Sequence, residues 1–180
     1  MTIEFLAPIV LLVVFIIFCI PTIKALIWGA PWVPTPMAAA PFIFEKVGLK
    51  KGDRFYDIGC GDGRFAYIAV RDFGARATGF ELSPAIYVLA VARKYLWKSQ
   101  AEIIFDDFRK KDISDADVIF CYLMPHTLAA SIPKFKKELR PGTKIISYAF
   151  KIGDWKPIMT FPRNPQLGLA GIRVYEIGKE

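Results

Sequence analysis

Histidine is nearly absent from this chain of 180 residues: His126 stands alone, which excludes a histidine-built metal centre. Cysteine is scarce as well. Cys19, Cys60 and Cys121 lack CxxC spacing and, being three, cannot all pair, so a zinc ribbon and a disulfide scaffold are both excluded. No metal site is expected. Charge is missing from residues 5–23, which read FLAPIVLLVVFIIFCIPTI, and residues 1–40 hold one acid and one base in all, Glu4 and Lys24. What is abundant excludes disorder: 54% of the residues are hydrophobic and 14% aromatic.

A helix needs ~20 mostly apolar residues to cross a bilayer. The uncharged run at 5–23 reaches that length, and a helix apolar on every face has no side to show water. The run lacks the positive leader of a cleaved signal peptide and the arginines and serines of a mitochondrial presequence. A transmembrane anchor over 1–28 is therefore expected. The whole net charge of +7 belongs to residues 41–180, and Lys24, Lys46, Lys50 and Lys51 follow the run. The positive-inside rule then predicts a single-pass membrane protein with its C-terminal domain in the cytoplasm. The lack of an import signal points to a prokaryotic plasma membrane. Unpaired cysteines agree with a reducing compartment.

A proline-rich segment follows at 29–50, and over 29–41 its Pro31, Pro34, Pro36 and Pro41 argue against a continuous helix. From 51 to 180 short apolar runs alternate with helical patterns. Strands are expected at 54–60, 76–82, 101–106, 116–123 and 143–150, and helices at 63–73, at 83–98 and ending near Leu139. Ser83 and Pro84 suit a helix start, Pro133 predicts a break or a fresh start, and Arg140-Pro141-Gly142 a stop. Strands alternating with helices give an α/β fold with a parallel sheet. Two last runs, 156–161 and 171–178, have no helix between them and predict a C-terminal antiparallel hairpin.

The first strand runs into Asp57-Ile58-Gly59-Cys60-Gly61-Asp62-Gly63-Arg64 and then a helix. Glycines there let the backbone turn tightly and approach a ligand at the helix N-terminus. Glu81, 18 residues beyond Gly63, is spaced to accept both ribose hydroxyls of an adenosine. The dinucleotide fingerprint GxGxxG needs glycine or alanine at 64, where this chain has Arg64. The pattern is GxGxG, which argues against NAD or FAD.

In order and spacing, DIGCGDG, GFELSP, FDDF, ADVIFCYLMP and ELRPGTKIIS resemble class I S-adenosylmethionine (SAM)-dependent methyltransferases over residues 52–150. With VPTP at 33–36 and one apolar span before it, the arrangement is similar to the membrane-anchored lysine methyltransferases of the ATP synthase c-subunit and the adenine nucleotide translocase. The resemblance implies a Rossmann-like domain using SAM. Asp57, Gly59, Gly61 and Gly63 would hold its methionine part, and Glu81 the ribose. Asp107 with the Phe108 backbone would meet the adenine; Asp106 is a rival, since FDDF leaves the register open by one. Thr35 would close over the cofactor. Tyr122, Pro125 and His126 are candidates for the substrate face, and Trp32, Phe150 and Trp155 for an apolar lysine pocket. No general base is evident.

Several features read more simply as structure. Tyr87, Tyr95 and Trp97 suit helix packing, and the clusters at 109–111 and 134–137 solvated faces, while Asp62 and Arg64 suit a helix start and the site equally well. Nucleic acid is not an expected partner, because no aromatics interleave with these bases on a strand face. The expected function is methylation of a lysine on a membrane or membrane-associated protein. The alternatives are methylation of a lipid or quinone, and a SAM-binding membrane protein without catalysis.

Overall fold

A computed structural model describes the backbone of residues 3–28 and 32–179, and all their side chains except 3–5, 17, 18, 20–22, 24–28 and 167. Helix α1 (Ile3–Trp28) is followed by α2 (Ala39–Val47). The sheet domain then runs β1 (Arg54–Ile58), α3 (Arg64–Phe73), β2 (Arg76–Glu81), α4 (Pro84–Leu96) and β3 (Glu102–Phe105). After these come β4 (Val118–Cys121), α5 (Pro125–Glu138), β5 (Lys144–Tyr148), β6 (Met159–Phe161) and β7 (Ile172–Glu176). Every expected strand is present, each one to four residues shorter than its apolar run.

The strands form one sheet in the order β3-β2-β1-β4-β5-β7-β6. The first five pair in parallel; β7 pairs antiparallel with β5 and with β6. The C-terminal hairpin thus lies at one edge, its second strand inserted against β5. The chain starts at β1, builds outward to β3, then returns to β4 on the other side of β1. This reversal leaves a crevice at the carboxyl ends of β1 and β4, where ligands of such sheets bind.

Side chains alternate between the two faces of each strand. Phe55, Val118, Phe120, Ile146 and Val174 face a core completed by α2 and α3. Ile58, Ile119, Cys121, Ile145 and Tyr175 face the core closed by Leu128 and Phe135 of α5. Phe44 of α2 sits at the centre of the first core, its ring 4.9 Å from Phe55, 5.7 Å from Phe65 and 5.5 Å from Phe73.

Of three remaining expectations one, the break at Pro133, needs correcting. No continuous helix runs through the prolines of the segment at 29–50: residues 32–36 are irregular and α2 begins only at Ala39, with Pro41 in its first turn, where an N–H has no acceptor within the helix. Its buried face, Ala40, Ile43, Phe44 and Val47, belongs to the domain core. Helix α5 runs unbroken through Pro133. Pro133 and Ala129, whose carbonyl loses its partner, are both exposed, so water can satisfy that carbonyl while Leu128 and Phe135 hold the other face on the sheet. Third, among the described residues no helix is long and apolar enough to cross a membrane. The described side chains of α1 give one continuous apolar run, Leu6 to Ile16, all exposed. The flanking charges Glu4 and Lys24 lie outside the described side chains.

Candidate functional site

The crevice is lined first by the loop between β1 and α3. Gly59, Gly61 and Gly63 adopt φ of 77°, 58° and 78°, the left-handed region that other residues resist. A Cβ at Gly59 would stand 3.1 Å from Leu123, and one at Gly61 only 2.8 Å from the indole of Trp32. The three glycines thus make a backbone cradle at the start of α3. Cys60 lies buried beneath it, and burial raises its thiol pKa well above the ordinary value.

Glu81 leaves the end of β2 toward this loop. One carboxylate oxygen accepts the Gly61 N–H at 3.0 Å, the other those of Leu82 and Ser83 at 2.9 and 2.8 Å. Burial raises its pKa, and the three N–H donors oppose that rise. Asp57, 2% exposed, ends β1 beside it. Burial, then the nearby Glu81 charge, push Asp57 up to about 8, with the Ala66 N–H pulling the other way. Its Oδ2 has no hydrogen-bond partner among the described residues. An unpartnered buried carboxyl oxygen aimed into a crevice is a site for a donor or cation on a ligand.

The next strands separate the remaining candidates. Asp106 lines the cavity, together with Phe108 and Arg109. Asp107 instead caps the short turn at Phe108–Lys110, accepting the Arg109 N–H at 3.0 Å and pairing with the Arg109 side chain at 2.7 Å. Burial would raise its pKa, but Arg109 holds it below the ordinary value. Tyr122 lines the cavity, its ring 5.0 Å from that of Tyr148. Pro125 and His126 do not: they are exposed at the start of α5, and the helix turns Thr127 inward in their stead. Of the proposed lysine pocket, Trp32 lines the cavity, whereas Phe150 packs behind Tyr122 and Trp155 lies against Tyr175.

Sequence reasoning left Asp62 and Arg64 open between a helix start and the site. Asp62 is 1% exposed and pairs with Arg64 and with Arg93 of α4. Arg64 also donates to the Thr35 carbonyl at 2.8 Å, and Thr35 is itself buried on the cavity. The unusual GDGR ending was the available signal. The basic clusters are also less free than expected: Arg109 and Lys111 pair with Asp107 and Asp106, and Lys134 with Glu138. Tyr87 does pack, 5.3 Å from Phe105, and Trp97 lies 4.7 Å from Tyr67, but Tyr95 is 76% exposed.

SAM fits this set of groups. The lone oxygen of Asp57 suits the cationic methionine part, and Glu81, bonded to the glycine cradle, offers carboxylate oxygens for a ribose diol. Asp106 and Phe108 line the same cavity.

Comparison with known proteins follows the same line. A family model described as the ANTKMT methyltransferase domain matches residues 57–159. A protein-lysine N-methyltransferase of Saccharolobus islandicus is 35% identical over 130 residues, covering 71% of this chain and 81% of that protein. The adenine nucleotide translocase lysine N-methyltransferase of Mus musculus is 29% identical over 133 residues, 70% of this chain and 57% of that one. Among solved structures, an RNA methyltransferase from Salinibacter ruber in complex with S-adenosyl-L-homocysteine superposes with a TM-score of 0.75 at 31% identity, covering 82% of this chain and 95% of that one.

Proposed function

The chain belongs to the ANTKMT methyltransferase domain family and is a SAM-dependent methyltransferase, and from that premise we propose that its acceptor is the amine of a protein lysine. The observation that carries this reading is the similarity to a protein-lysine N-methyltransferase over 81% of that protein's length.

SAM supplies the methyl group on a sulfonium, whose loss needs no acid from the protein. The chain's own task is to bind, align and desolvate. Phe65, Phe80, Phe120 and Leu123 give the cavity apolar walls, and Tyr122 stands at the end of β4 beside them. A lysine ammonium entering such surroundings loses hydration, which lowers its pKa from about 10.4 toward the neutral, nucleophilic amine.

The second part of the proposal is that the acceptor lies at a membrane, with the enzyme anchored there by α1 and its domain on the cytoplasmic side. The exposed apolar run of α1 and the +7 charge confined to residues 41–180 support it. The name of the Salinibacter neighbour favours a second reading, methylation of RNA.

One experiment divides these readings. Detergent-solubilised protein is incubated with methyl-tritiated SAM, native membranes and total RNA, with Glu81→Ala as control, and label is partitioned between protein, lipid and RNA. Counts in a membrane protein, mapped to lysine and lost in the mutant, are the expected result. Counts in RNA would establish the second reading, counts in lipid a lipid or quinone acceptor, and SAM binding without any label a non-catalytic binder.

A further inference from the structure

Residues 32–36, Trp-Val-Pro-Thr-Pro, precede the core yet form one wall of the cofactor crevice: Trp32, Val33, Pro34 and Thr35 all line it. We infer that Arg64 is the positioning residue that clamps this segment over the cofactor and so fixes Trp32 against the glycine cradle.

The clamp has two ends. At one, Arg64 Nη1 donates to the Thr35 carbonyl at 2.8 Å, while Nε of the same guanidinium donates to Asp62 at 2.8 Å. Asp62 is almost fully buried, and its Oδ2 accepts from both Arg64 and Arg93, so the guanidinium is held in a largely buried, charge-paired setting. At the other end the indole of Trp32 lies on Gly61, so close that a Cβ there would meet Cδ1 at 2.8 Å and Nε1 at 2.9 Å. Between the ends, Pro34 and Pro36 fix φ on either side of Thr35 and make the segment stiff. One hydrogen bond near the middle of a stiff segment therefore sets the position of the tryptophan at its end.

Arginine is required at this place. Its planar fork serves Asp62 and Thr35 along two directions at once, whereas a lysine ammonium is a point charge that cannot hold both in this geometry. Arg64 acts through Trp32, so removing either residue should produce the same loss of cofactor affinity.

The test rests on the crevice being the SAM site. SAM affinity is measured by calorimetry on the full chain for wild type, Arg64→Ala, Trp32→Ala and the double variant. Each single change should weaken binding about tenfold, the scale of one charge-assisted contact, and the double variant should be hardly worse than either. Arg64→Lys, which keeps the charge beside Asp62, should retain near-wild-type melting and still lose most of the affinity. In a variant keeping only Trp32 (Trp28, Trp97 and Trp155 changed to Phe), Arg64→Ala should shift the Trp32 emission to longer wavelength. Multiplicative losses in the double variant, full affinity in Arg64→Lys or Arg64→Ala, or an unmoved emission would overturn the clamp. Wild type that binds no SAM would overturn the cofactor assignment together with it.

Discussion

Glu81 accepts a hydrogen bond from the Gly61 N–H at 3.0 Å, joining the end of β2 to the loop that follows β1. The same carboxylate therefore shapes the glycine cradle and presents oxygen to a ribose diol. Two neighbouring parallel strands, paired Asp57 to Gly79, bring these groups together across 20 residues of sequence.

Glu81→Ala should lower SAM affinity by at least ~100-fold, because it removes a charged acceptor of two hydroxyls, each contact worth ~1.5–3 kcal/mol. Calorimetric titration measures this. Unchanged affinity would rule out the ribose assignment.

Asp57 couples the ligand-free fold to pH. Its folded pKa of about 8 lies far above its ordinary value, so the folded state disfavours the ionised form. The stability this group confers is complete below about pH 4, declines as pH rises, and is gone above about pH 8. Asp57→Asn should therefore melt higher than wild type at pH 8.5 and show no such advantage at pH 4. Each kcal/mol is worth ~2–4 °C for a domain of this size. Melting curves across that range, which should converge at low pH, provide the check.

The neighbours Asp106 and Asp107 should separate by phenotype. Asp106→Ala removes a group lining the cavity and should weaken SAM binding severalfold. Asp107→Ala removes the cap of the turn at Phe108–Lys110 and should chiefly cost stability, ~1 kcal/mol. Paired titrations and melting curves distinguish them, and the reverse pattern would restore Asp107 to the adenine.

Pro133→Ala should stabilise the protein by ~1–3 kcal/mol, since alanine restores an N–H to the Ala129 carbonyl in the middle of α5. Methyl transfer should not change, because Pro133 is exposed on the face away from the sheet. Denaturant unfolding measures the gain, and a loss would mean that α5 depends on the bend proline imposes.

Much of this was legible in the linear chain for reasons that act locally. Strand periodicity located β1 to β7, and the spacing of Gly59, Gly61 and Gly63 announced a left-handed loop because few other residues accept that backbone. Glu81 could be found because a parallel βαβ unit has a nearly fixed length. The helix α2 was hidden by Pro41, which forbids a helix interior yet is welcome in a first turn.

What the sequence by itself determined, then, is the order of strands and helices, the glycine cradle and the acid opposite it, all set by backbone conformation and short-range periodicity. Only the tertiary structure decided which of Asp106 and Asp107 faces the crevice, that Pro125 and His126 point away from it, and that Arg64 reaches Thr35 across 29 residues. Those outcomes depend on how a returning chain packs its side chains at the β1–β4 reversal, and no spacing along the sequence encodes that direction.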